Sequence, residues 1–223
     1  VRLEVAVERL YSLGSVEERE RREVRQVVTL EDKVSEVQIA GGYIYLRSSR
    51  EAPRSRVLRL PLDAPDLARA EVVMPQAEGV IFDIAAAKDA LYVTRRDGAT
   101  HSLWRLRHAR DAKPEQVSLP FEGAVQVSGS SPDVDGVVLH LGAWTRATKP
   151  YAYDPGSRRV TPLPFVQAGA LDSPSDMISR EVRVKSHDGV EVPVSILMRR
   201  DAKLDGANPT ILYGYGAYGI TEN

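Results

Sequence analysis

VQIAGGYIYLRSS (37–49), IFDIAAAKDALYVTRRD (81–97) and VQVSGSSPDVDGVVLHLGA (125–143) are three versions of one pattern. Each holds an extended run, a turn rich in Gly, Asp or Ser, and a second run centred on three apolar residues. Those centres are Ile44-Tyr45-Leu46, Leu91-Tyr92-Val93 and Val137-Val138-Leu139, about 46 positions apart. β-Branched and aromatic residues bounded by turn formers read as strands. A run that is apolar at successive positions, too short for a helix, reads as a strand buried on both faces.

Outward from these centres the period continues. Third strands fall at 58–60, 104–106 and 151–153, and a fourth extended piece follows at 70–74, 115–119 and 158–163. Four short strands repeating at this interval mark a propeller blade, a sheet that covers its two faces only by stacking on neighbours. A β-sandwich with coincidental spacing is the competing reading. Three blades are visible over 34–165, so the expectation is a partial all-β propeller.

The pattern stops after Phe165. Residues 166–176 (VQAGALDSPSD) are small and polar and read as a linker. Two alternating runs at 180–185 and 190–198 flank Asp188-Gly189, a pair suited to a type I′ hairpin turn. Residues 209–213 (PTILY) form a short continuous apolar run, expected as a central strand of a mostly parallel sheet. It leads into Gly214-Tyr215-Gly216-Ala217-Tyr218-Gly219. That turn matches G-x-G-x-x-G, but a dinucleotide site also needs a helix starting at the turn and an acid some 20 positions on. A glycine-rich turn at a sheet's carboxyl edge can instead hold a Tyr hydroxyl where charge develops on a reacting oxygen.

Composition narrows the classes. The formal net charge is -1, with 43% hydrophobic and 27% charged residues, which argues against a dedicated nucleic-acid surface. No run of 18 apolar residues occurs, so no membrane span is expected. Without Cys there are no disulfides and no thiolate chemistry, and the compartment stays open between cytoplasm and periplasm. His101, His108, His140 and His187 are scattered without ligand spacing, so no metal site is expected. Asp133 and Asp135 read as an acidic turn, and Trp104 and Trp144 as packing between blades. Arg146 is a candidate to face a tunnel and meet a peptide carboxylate. The charged run 17–25 (EERERREVR) reads as a solvated helix or connector. The chain starts without Met and stops after the glycine-rich turn, and both ends read as cut.

The segment 179–219 resembles the entry into the peptidase domain of the prolyl oligopeptidase family. The resemblance rests on K-S-x-D-G at 185–189, V-P-V at 192–194, Leu204-Asp205-Gly206, the apolar run and Y-G-Y-G-A-Y-G. Residues 34–165 are similar to the last blades of that family's propeller. The resemblance implies a seven-bladed propeller capping an α/β-hydrolase domain, and a serine peptidase acting on short peptides with no cofactor. It divides the chain into an unassigned connector or blade start (1–33), the C-terminal part of the propeller (34–172) and the N-terminal part of the peptidase domain (173–223). It implies that Tyr215 supplies an oxyanion-hole hydroxyl, while the Ser, Asp and His of the triad lie downstream. No G-x-S-x-G elbow occurs in the chain, so the segment alone is expected to be inactive. Gly216-Ala217-Tyr218 departs from the Gly-Gly-Phe of the proline-cleaving branch and resembles the branch that cuts after basic residues. The implied partners are a short peptide substrate and the remainder of the same polypeptide, with oligomeric state left open. A non-catalytic propeller that binds proteins is the alternative.

Overall fold

A computed structural model describes residues 26–215. The charged run 17–25 and residues 216–223, which include most of the glycine-rich turn, lie outside them. The described chain forms three four-stranded antiparallel sheets and one two-stranded sheet. The first sheet holds β1 (Val34–Ala40), β2 (Tyr43–Ser48), β3 (Arg56–Pro61) and β4 (Glu71–Met74), paired in that order. The second holds β5 (Val80–Ala86), β6 (Ala90–Asp97), β7 (Thr100–Arg107) and β8 (Glu115–Val117). The third holds β9 (Ala124–Ser131), β10 (Val134–Ala143), β11 (Arg146–Asp154) and β12 (Arg159–Pro162). These are three consecutive blades, each a meander whose first strand lies innermost, and β1, β5 and β9 pack side by side. Two 3-10 turns, Leu30–Asp32 and Leu67–Arg69, are the only helical pieces among the described residues.

The apolar triplets sit on each blade's second strand, and the pleat sends their side chains alternately to opposite faces. Tyr45 joins Val57, Ile81, Ile84, Leu91 and Val93 in the seam between blades one and two. Tyr92 and Leu103 join Val125, Val137, Leu139 and Leu141 in the seam between blades two and three. Ile44 and Leu46 pack with Leu58, Leu60 and Val28 on the other face of blade one. The run 91–93 is therefore continuously apolar because it serves two seams. On β10 only one face is covered, and burial alternates, with Val138 and His140 exposed.

All three inner strands carry a one-residue bulge, at the same register in β1 and β5 and two pairs nearer the hairpin turn in β9. Val34 and Glu36 pair with the consecutive residues Ser48 and Arg47, leaving Ser35 extra. Ile81 and Asp83 pair with Arg95 and Thr94, leaving Phe82 extra. Gly129 and Val127 pair with Val138 and Leu139, leaving Ser128 extra. A bulge bends its strand and sharpens the local twist, and here it recurs with the repeat.

After blade three the chain forms a hairpin of β13 (Met177–Lys185) and β14 (Glu191–Arg199) in continuous register from Met177↔Arg199 to Lys185↔Glu191. Its turn is not the type I′ suggested by Asp188-Gly189. Type I′ needs positive φ at both central residues, and only Gly189 has it, at 84°. The Gly189 N–H donates to the Ser186 carbonyl at 2.9 Å and the Ser186 N–H to Val190 at 2.8 Å. This is a three-residue loop closed by a left-handed glycine, the longer of the common hairpin solutions.

Candidate functional site

The chain leaving blade three runs over the face that carries the β6–β7 and β10–β11 hairpins. Asp172 meets Lys149 at 2.7 Å, and its carbonyl accepts from the Ala147 N–H at 2.8 Å. Further on, Glu181 of β13 accepts from the Ala99 N–H in the β6–β7 turn at 3.1 Å, and Arg183 lies 3.6 Å from Asp97. The post-propeller hairpin is thus pinned to blade two by polar contacts at exposed positions, where each contributes little by itself.

Beside that turn lies an open groove of about 730 Å³, lined among others by Glu78, Arg95, His101, Trp104, Phe121 and Glu122. Trp104 forms part of its wall, with its indole N–H donating to Ser102 at 3.0 Å and the Arg95 guanidinium 5.4 Å from its ring centre. Arg146 stacks on Phe121 at 4.8 Å. It is the first residue of β11, the third strand of its blade, at the β10–β11 turn.

Tyr215 is the last described residue and is 47% exposed. Residues 208–215 carry no strand, and Ile211 and Leu212 are 95% and 90% exposed. The central strand expected at 210–213 is therefore not formed here. An inner strand exists through ladders on both edges, and no described strand lies beside this one. Among the described residues the only element after blade three is the β13–β14 hairpin, with no helix beside it.

His101 and His108 bond the backbone of neighbouring chain. The Nε2–H of His108 donates to the Ala87 carbonyl at 2.8 Å, so its Nδ1 accepts from the Tyr45 hydroxyl at 2.8 Å. Burial pushes the Tyr45 hydroxyl up to about 12, which keeps it a donor. His101 is buried against the Val125 backbone, and burial lowers its pKa. His140 and His187 are exposed, as are Asp133 and Asp135. Among the described residues no three His, Asp or Glu side chains converge as a metal-binding group.

Charged groups inside the seams were not singled out from the sequence. Arg59, 2% exposed, bonds Glu71 at 2.7 Å and the Ala109 carbonyl at 2.7 Å, with its guanidinium over Tyr43 at 4.7 Å. Asp89 accepts from Tyr92, Arg105 and the Gly136 N–H at 2.9, 2.8 and 2.8 Å, tying blade two to blade three. Glu36 reaches from β1 to β5, where its Oε2 accepts from the Ile84 N–H at 3.2 Å and from Arg47 at 3.0 Å. A sequence signal for the last was available: Glu36 and Asp83 occupy the same place in successive repeats.

The model of the family "Prolyl oligopeptidase, N-terminal beta-propeller domain" matches residues 3–165. The chain belongs to the prolyl oligopeptidase family. It is 25% identical over 207 residues to a prolyl endopeptidase of Elizabethkingia miricola, covering 87% of this chain and 27% of that protein. It is 28% identical over 199 residues to an uncharacterised peptidase of Sinorhizobium fredii, covering 80% and 26%. The chain spans about a quarter of the length of these relatives. Oligopeptidase B from Trypanosoma brucei with covalently bound antipain shares the fold at a TM-score of 0.71 and 19% identity, over 90% of this chain and 30% of that one. A structure from a study of two prolyl endopeptidases does so at 0.75 and 22%, over 91% and 30%. Family membership accords with the stacked blades and with a match that already begins at residue 3.

Proposed function

We propose that this chain is the closing part of the propeller and the opening of the peptidase domain of a serine oligopeptidase that hydrolyses short peptides through an acyl-enzyme. The observation that carries the reading is the family match over 3–165, followed in the chain by Tyr215 between Gly214 and Gly216. In this reading residues 34–172 are propeller and 173–223 enter an α/β-hydrolase domain. The blades restrict entry to small substrates, and the Ser, Asp and His triad belongs to sequence beyond this chain. Tyr215 has the chemistry for one step. A phenol hydroxyl donates to an oxygen that becomes negative in the tetrahedral intermediate, and a donor aimed there acts mainly on the transition state.

The test is Tyr215→Phe in the intact native protein, which keeps the ring and removes only the donor. Expected is a fall in kcat on the order of 10²–10³ with a smaller change in KM, measured on a short peptide whose acylation limits the rate. A fall below about threefold removes Tyr215 from the oxyanion role. Labelling the intact protein with a fluorophosphonate tests the class itself. Absence of a labelled serine favours a non-catalytic propeller that binds proteins.

A further inference from the structure

Glu36 and Asp83 stand 47 positions apart, one repeat, each immediately after the bulged residue of its inner strand. Their cross-strand partners differ: Arg47 lies opposite Glu36 and Thr94 opposite Asp83, and the pair at the equivalent register of the third blade is Gln126 opposite His140. Blades one and two thus each place an acid at this position, and only the first has a basic partner across the ladder. The Glu36 carboxyl reaches the Asp83 carboxyl across the seam. Glu36 Oε2 is held by Arg47 Nε at 3.0 Å and by the Ile84 N–H at 3.2 Å, so it is anchored on the backbone next to Asp83. Arg47 also reaches across, donating to the Ile81 carbonyl at 3.3 Å.

We infer that Glu36 and Asp83 form a proton-sharing clasp between the inner strands of two neighbouring blades, closed in mild acid and loosened toward neutral pH. In the closed form protonated Glu36 donates one hydrogen bond to the Asp83 carboxylate. Its Oε2 is occupied as an acceptor, so the proton sits on the other oxygen. The groups facing Glu36 are Asp83 from β5 and Arg47 from β2, with the Ile84 N–H. Thr94 from β6 stands across the ladder from Asp83. Loss of the proton sets two carboxylates against each other in a half-buried seam, with Arg47 paired to Glu36.

The electrostatics agree with this geometry. Burial, then the hydrogen bond and charge of Asp83, push Glu36 up to about 7, against the opposing pull of Arg47. The folded value is the raised one. The clasp therefore contributes fully below the ordinary value of 4.5 and loses its contribution as pH rises to about 7, above which nothing further is lost.

The experiment is amide hydrogen exchange of β5 in the intact native protein between pH 5 and 7, corrected for the intrinsic rate. Local opening around Ile84 is expected to rise on the order of tenfold or more across that range in the wild type. In Glu36→Gln, whose amide donates to Asp83 without titrating, it is expected to stay flat. An infrared band of a protonated carboxyl, present at pH 5.5 and missing in Glu36→Gln, is the accompanying signature. An equal rise in wild type and Glu36→Gln, or no rise in wild type, overturns the inference. Asp83→Asn is the second variant, should Glu36→Gln not fold. It removes the like charge, so the midpoint must move toward ordinary carboxylate values, and an unmoved midpoint overturns the clasp. Neither readout depends on peptidase activity.

Discussion

Asp89 shows how single charged residues hold the seams. Burial alone raises a carboxyl pKa, yet donation from the Gly136 N–H, Arg105 and Tyr92 brings Asp89 below its ordinary value. A lowered folded value means its contribution is present above about 3.8 and is lost as pH falls through the lowered value. Asp89→Asn is expected to cost about 2–3 kcal/mol at pH 7, since the amide keeps one acceptor oxygen and turns its NH2 toward a donor that the second carboxylate oxygen had satisfied. Urea denaturation at pH 7 and pH 3 checks this: the gap between wild type and variant should shrink at the lower pH. Little at this scale was legible beforehand. An acid in K-D-A (88–90) is an ordinary turn residue until the neighbouring blade supplies Gly136. Arg59 is the same case, a charge in an alternating strand whose carbonyl partners come from the loop at 109–110.

Among elements, the strands were the readable part. The apolar triplets fell on β2, β6 and β10, and the outer strands fell where turn residues bounded them, because side-chain period and turn chemistry are local properties. The bulges were not readable, since an extra residue shows only in the register between two strands. Nor was the run 209–213, where apolar content signals a buried strand but pairing depends on distant chain. Gly136 bridges the two kinds of information. It has φ of 80°, and a Cβ there would lie 2.2 Å from the Tyr153 carbonyl, a backbone atom that has nowhere to move. Gly136→Ala is expected to cost about 2 kcal/mol or more through backbone strain, before the contact is counted. A thermal scan beside Asp89→Asn measures it. The double variant should lose less than the sum, because both act on one hydrogen bond.

For the molecule, blade two is the hub. It packs on a blade at each face, and its β6–β7 turn receives the hairpin that follows the propeller. The latter contact is polar and exposed, so it steers placement more than it adds stability. Glu181→Ala is accordingly expected to change the melting temperature little, while exchange at 97–100 and in β13 rises severalfold. Equal protection in both proteins would remove Glu181 from that role. Family and propeller were legible from repeat spacing and from the segment 179–219. The placement of that segment on the blade face was not, because it rests on Glu181 and Arg183 reaching residues dozens of positions away.

The recurring bulge gives the blades a common ruler. Opposite the position after it stand Glu36 and Arg47, then Asp83 and Thr94, then Gly129 and Val138, pairs with almost no chemistry in common. The extra residue nevertheless returns at Ser35, Phe82 and Ser128, at intervals of 47 and 46. In chain numbering the bulge keeps the repeat length where the side chains around it do not. Aligning repeats on it, and not on residue likeness, sets the frame in which one blade can be exchanged for another.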